Sequence, residues 1–92
     1  MAFVYILECA DATFYVGHTE NLALREQTHN EGKGSRYTAA RRPVRMVYAE
    51  EHASAGSAIA RERQLKGWTH KKKEALIRGD RPTLMALARR CS

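Results

Sequence analysis

The sequence predicts one α+β domain. Three observations carry that expectation: two short strand-favouring runs joined by a polar turn near the start, a third such run near the middle, and three stretches with helical spacing or helix-capping signals around it. A chain of 92 residues has room for one compact domain with one modest core. Its 43% hydrophobic and 28% charged residues are those of a folded domain and not of a disordered tail.

Phe3 to Leu7 is an unbroken run of strand formers, and Thr13 to Gly17 is a second, with Ala10-Asp11-Ala12 as the turn of a β-hairpin. Side chains alternate across a strand, so Phe3, Tyr5 and Leu7 share one face and Thr13, Tyr15 and Gly17 another, which lets the two tyrosines lie on the same side. Thr19 is positioned to cap a helix from about Glu20 to Glu31, with Gly32 as its left-handed stop. On that helix Arg25 and His29 stand four residues apart and project from one face. The stretch from Gly32 to Pro43 reads as a mobile basic loop, and Val44 to Tyr48 as the third strand.

From about Ser54 the positions Ala55, Ala58, Ile59 and Leu65 recur at helical spacing as far as Gly67. Glu62 falls three residues after Ile59 and three before Leu65, which sets a carboxylate in the apolar row. Thr69 can cap a further helix ending near Ile77, with Gly79 beyond it. Pro82 suits the first turn of a terminal helix carrying Leu84, Leu87 and Ala88. Tyr48 and Trp68 are assigned to the core.

The net charge of +6 makes a polyanion a natural partner. Among the first 32 residues Arg25 is the sole lysine or arginine, whereas Lys33, Arg36, Arg41, Arg42 and Arg45 follow with no acid between them. Lys71 to Lys73 read as a solvated helix face. Cys9 and Cys91 lie too far apart in sequence for a zinc-binding spacing and are too few for a secreted disulfide framework. No apolar run approaches the roughly 20 residues of a membrane span, so a cytoplasmic protein, away from membranes and with a monomer favoured, is expected.

The hairpin carries Phe3-Val4-Tyr5 and Tyr15-Val16-Gly17, the helix carries Arg25-Glu26-Gln27-Thr28-His29, and Arg61-Glu62-Arg63 follows. Together they resemble the GIY-YIG nuclease domain: its paired strand motifs, its arginine and histidine one turn apart, and its metal-binding glutamate. Phe3 stands where glycine is usual. Val4 to Leu7, Gly32 to Thr38 and Arg41 to Val44 resemble the small stand-alone bacterial UPF0213 group, and the likeness covers roughly residues 3 to 78.

That resemblance implies a three-stranded antiparallel sheet flanked by helices, with residues 1–80 as the nuclease domain and 81–92 as a C-terminal helix or tail. It implies phosphodiester hydrolysis in DNA with one Mg2+ or Mn2+ ion, structure-selective or weakly sequence-specific, in repair or recombination. Branched, single-stranded or duplex DNA would serve as substrate. Tyr5 becomes the candidate general base, which requires a pKa well below its free value of about 10, with Tyr15 and His29 beside it. Arg25 suits the phosphate oxygens because a guanidinium grips them in a fork, and Glu62 is a hard oxygen ligand suited to the metal. Gly17 belongs to the second strand motif. His18, Lys33, Arg36, Tyr37, Arg41 and Arg42 are candidates for contact with nucleic acid.

Taken singly, each residue has a plainer reading: a strand tyrosine packs, a helix face is solvated, and Glu62 pairs with Arg25. A non-catalytic DNA-binding module and a subunit that docks on another protein stand as alternatives to the nuclease.

Overall fold

The computed structural model describes residues 1–79. The expected terminal helix from Pro82, the 81–92 segment and Cys91 lie outside them. The elements run β1 (Ala2–Glu8), β2 (Phe14–Thr19), α1 (Leu22–Asn30), α2 (Arg36–Ala39), β3 (Arg45–His52), α3 (Ala55–Lys66) and α4 (His70–Arg78). The strands form one antiparallel sheet in the order β2-β1-β3, so the hairpin and third strand stand as expected.

Register decides which side chains share a face. Tyr5 lies opposite Gly17 and Leu7 opposite Tyr15, which puts both tyrosines on one side of the sheet. On that side Tyr5, Leu7, Cys9 and Val44 form a buried cluster, with Tyr15, Leu22 and Met46 packed on it. On the other, Val4, Ile6 and Val16 pack against Ala58 and Leu65 of α3. Tyr48 and Trp68 are half-buried against this second cluster, in line with their assignment to the core.

Several boundaries differ from expectation. Thr19 is the last residue of β2, and Asn21 caps α1 instead, its side-chain oxygen accepting the Leu24 N–H at 3.1 Å. β3 continues four residues past Tyr48 because it pairs with β1 as far as Ala2 opposite His52. Cross-strand bonding there outweighs the weak strand preference of Ala49-Glu50-Glu51. The expected basic loop is interrupted by α2, one helical turn whose Thr38 N–H is capped by the Ser35 hydroxyl at 3.1 Å. Gly32 does adopt the left-handed conformation, with φ of 81°, and Ser54 and Thr69 cap α3 and α4.

Two contacts fix how α1 meets β3. The Asn30 amide donates to the Val44 carbonyl at 2.9 Å and accepts the Val44 N–H at 2.8 Å, as a neighbouring strand would. Four residues earlier, Glu26 accepts the Met46 N–H at 2.6 Å. These bonds hold the face of α1 that carries Arg25 and His29 against the sheet.

Candidate active site

Tyr5 and His29 are buried, with 2% and 1% of their surface exposed. The Tyr5 hydroxyl is 3.0 Å from His29 Nε2, and His29 Nδ1 is 2.7 Å from the Thr38 hydroxyl. Thr38 continues to the Ser35 hydroxyl at 3.0 Å. A file of polar groups therefore runs from the sheet, through α1, into the short helix α2. Two glycines make room for it. A side chain on Gly17 would overlap the Tyr5 phenol, and one on Gly34 would overlap the His29 imidazole.

Around this file stand aromatic and cationic groups. Tyr15 tilts against the His29 ring at 5.1 Å between centroids and stacks toward Tyr37 at 6.1 Å. Arg25 is half-buried, and its guanidinium has no hydrogen-bond partner among the described residues, while its backbone N–H donates to the Asn21 carbonyl. It lines an open groove of about 380 Å³ together with Ala2, His18, Thr19, Glu20, Asn21 and Ala55. Glu62, on α3, meets one of these lining residues, His18. It accepts from His18 Nδ1 at 2.8 Å, lies 3.4 Å from Lys66 Nζ, and keeps 15% of its side chain exposed.

The electrostatics follow from burial. Tyr5 is pushed well above the ordinary tyrosine value, first by burial and then by the neighbouring Tyr15 and Glu62, with Arg25 pulling the other way. His29 is pushed below its ordinary value, by burial first and by the Arg25 charge second. It is therefore neutral at physiological pH. Burial and the neighbouring Tyr15 thus hold Tyr5 in the direction opposite to the one a phenolate base needs, with Arg25 working toward that need.

Comparison with known proteins decides the family. Residues 1–75 match the GIY-YIG catalytic domain. The chain belongs to the GIY-YIG family. It is 47% identical over 75 residues to a UPF0213 protein of Bacillus pumilus (strain SAFR-032), covering 82% of this chain and 76% of that one. Against a UPF0213 protein of Staphylococcus aureus (strain Mu3 / ATCC 700698) it is 41% identical over 76 residues, covering 83% and 93%. The solution NMR structure of a UPF0213 protein from Bacillus halodurans superposes with a TM-score of 0.54 at 38% identity, over 84% of this chain and 83% of that one.

Within this GIY-YIG framework the sheet tolerates Phe3 in the usual glycine position, since Phe3 sits opposite Thr19 at the strand end and Tyr5 still reaches His29. Tyr5, Tyr15, Gly17, Arg25 and His29 are gathered on one side of the hairpin, whereas His18, opposite Val4, points to the other face, where Glu62 of α3 meets it, near enough to Tyr5 for its charge to raise the phenol's pKa. Glu62 pairs with His18 and Lys66, so the plainer alternative, a pair with Arg25, is not made.

The basic residues divide. Lys33 and Arg36 are exposed with no side-chain partner among the described residues. Arg41 instead donates to Asp11 at 3.0 Å and lies 3.9 Å over the Tyr37 ring. Arg42 donates to the Ala39 carbonyl at 3.0 Å and packs on Gly32, so both arginines hold the chain between α2 and β3. Sequence reasoning missed Ser35, Thr38 and Gly34. Their signal lay in Gly34-Ser35-Arg36-Tyr37-Thr38, where a serine three residues before a threonine is a capping pattern.

No three His, Cys, Asp or Glu side chains gather as a metal cluster among the described residues. The site nevertheless fits one hard divalent cation, because magnesium and manganese keep several waters and need only one or two carboxylates beside substrate phosphate. Glu62, part-exposed beside the groove residue His18, can supply that carboxylate.

Proposed function

We propose that this GIY-YIG chain is a metal-dependent DNA endonuclease that hydrolyses phosphodiester bonds with little sequence preference. The observation that supports the reading is the approach, around one hairpin, of a buried tyrosine-histidine pair, an arginine whose side chain has no partner among the described residues, and a part-exposed glutamate, both charged groups near enough to act on Tyr5. Structural packing alone gives no reason to leave the guanidinium of Arg25 without a hydrogen-bond partner beside a groove that contains a second polar rim.

Arg25 grips the non-bridging oxygens of the scissile phosphate, where its fixed charge stabilises the negative charge that builds up during attack. A divalent ion on Glu62 would supply further charge stabilisation at the same phosphate and acidify water. The proton of the attacking water passes to the Tyr5 oxygen while the Tyr5 proton passes to His29 Nε2. Hydroxide equivalent and imidazolium form together, Tyr5 stays neutral throughout, and as the new bond from oxygen to phosphorus forms the bond to the leaving sugar oxygen breaks, that oxygen taking its proton from solvent. This concerted route suits the burial of Tyr5, which opposes a free phenolate, and the neutrality of His29, which leaves it able to accept.

The test is cleavage of branched, single-stranded and duplex DNA with magnesium, with manganese and with chelator, comparing wild type with Arg25→Ala and Glu62→Ala. The reading expects cleavage that needs the metal and falls at least about a hundredfold in either variant. Equal cleavage by all three proteins sinks the proposed site. Salt-sensitive binding with no cleavage under any condition replaces the nuclease with a DNA-binding module.

A further inference from the structure

Donor and acceptor accounting along the buried file fixes a detail that the site's composition leaves open. Tyr5 Oη has a single hydrogen-bond partner among the described residues, His29 Nε2 at 3.0 Å. Were Nε2 to carry the imidazole proton, it would donate to Tyr5, and the Tyr5 hydrogen would be left without an acceptor in a buried cluster. A buried donor with no acceptor is among the costlier defects in a folded protein. With the proton on Nδ1 every hydrogen finds an acceptor: Tyr5 O–H donates to Nε2, Nδ1–H donates to the Thr38 oxygen at 2.7 Å, and Thr38 O–H donates onward to Ser35. Ser35 offers its hydroxyl at 3.0 Å and its carbonyl at 3.4 Å.

We infer that Thr38, itself oriented by Ser35, is the positioning residue that holds His29 in the Nδ1–H tautomer and so leaves Nε2 free to take the proton of Tyr5. Thr38 touches neither metal nor phosphate. It is fully buried, and its capping bond to Ser35 joins tautomer choice to the folding of α2. Gly34 completes the device, since any side chain there would displace the imidazole from between its two partners. In the Nε2–H tautomer Tyr5 would receive a hydrogen bond instead of giving one, and the proton route would start blocked.

The inference rests on the proposed reaction for its purpose but not for its test. Two-bond 1H–15N correlation spectra of 15N-labelled protein at about pH 7.5, where a histidine of ordinary or lowered pKa is neutral, report which ring nitrogen carries the hydrogen. Wild type is expected to show a protonated Nδ1 and a bare Nε2 on His29. Thr38→Val keeps the volume and removes the acceptor, so the proton is expected to move to Nε2, while Thr38→Ser restores the wild-type pattern. Where cleavage is measurable, Thr38→Val lowers kcat about ten- to a hundredfold with KM within about twofold, and Thr38→Ser recovers it.

A protonated Nε2 in wild type, or an unchanged Nδ1–H pattern in folded Thr38→Val, overturns the inference. Should Thr38→Val fail to fold, Thr38→Ala, which also removes the acceptor, takes its place; a loss of Nδ1–H preference is expected there, and an unchanged pattern overturns it equally. A protein that cuts no DNA overturns the proposed function and leaves the spectra to decide the tautomer.

Discussion

The Tyr5 hydroxyl lies beneath the α-carbon of Gly17, so close that one methyl group at position 17 would overlap both the phenolic oxygen and the ring. The two residues face each other across the hairpin, and the absence of a side chain on one defines where the other can point. Gly17→Ala should therefore displace the phenol and break its bond to His29. The expected cost is about 1–3 kcal/mol from overpacking, read by urea unfolding, together with loss of cleavage as deep as in Tyr5→Phe. Wild-type stability with unshifted His29 resonances would show that the phenol has another place to go.

Cleavage should depend on neutral His29. Its pKa lies below the ordinary value of 6.5, through burial first and Arg25 second, so the acidic limb of the rate profile should fall below pH 6.5. In Arg25→Ala the His29 midpoint, followed by NMR, should move upward but stay below its free value because burial remains. A midpoint at or above 6.5 in wild type contradicts the environment described. The same shift has a stability consequence. The unfolded chain binds the His29 proton more readily than the folded one, so stability declines as pH drops below 6.5 toward the folded pKa.

A different carboxylate governs behaviour in stronger acid. Burial pushes the Glu50 pKa up, but bonds from Tyr48, His52 and Arg61 more than reverse that and leave it lowered. A depressed carboxylate stabilises the fold above its unfolded pKa and loses that contribution as pH falls through its folded one. Glu50→Gln should be less stable than wild type at pH 7, and the gap should close below about pH 4, under the ordinary glutamate value of about 4.3. Urea unfolding at several pH values measures it, and a gap independent of pH would show that the charge of Glu50 is immaterial.

Asn30 imitates a strand through its paired bonds with Val44. Replacing it with alanine strands two polar groups of the backbone at the start of β3. About 1–3 kcal/mol of stability should be lost, visible as a lowered Tm. Cleavage at low temperature should survive, since Asn30 holds the scaffold and not the substrate. A fall in kcat without a fall in Tm would contradict that division.

Among the basic residues, Lys33→Ala and Arg36→Ala should each lower the salt slope of DNA binding by roughly 0.9 if they contact phosphates, with little effect on folding. Arg42→Ala should instead destabilise the chain between α2 and β3. Binding titrations at several salt concentrations, set beside thermal melts, separate the two classes. A shallower slope for Arg42→Ala at unchanged Tm would reverse the assignment.

The hairpin was readable in sequence because its strands alternate cleanly enough to place Tyr5 and Tyr15 on one face before any register was known. Arg25 and His29 were readable because helical spacing is local. Thr38 was not, since its role depends on α2 returning beneath α1, a contact no spacing rule expresses. The bonds of Arg41 and Arg42 were not readable for a related reason. Charge counts treat every arginine as free, whereas Arg41 bonds to Asp11 and packs on Tyr37, and Arg42 bonds to the Ala39 and Asn30 carbonyls. Glu62 stood out correctly as a carboxylate among apolar positions, but its partner came from β2, which only the packing of α3 across the sheet could reveal.

One apolar layer of this protein is filled by the groups proposed to do its chemistry: Tyr5 heads the largest fully buried side chains and His29 is among them. Drift in a lineage is constrained accordingly. A relative without the proposed activity would still need something of the same bulk in the same place, so its retention of Tyr5, Gly17 and His29 would say little about whether it acts on nucleic acid. On the proposed reaction Arg25 carries no such double duty, and its survival or loss would be the better marker of which descendants act on nucleic acid.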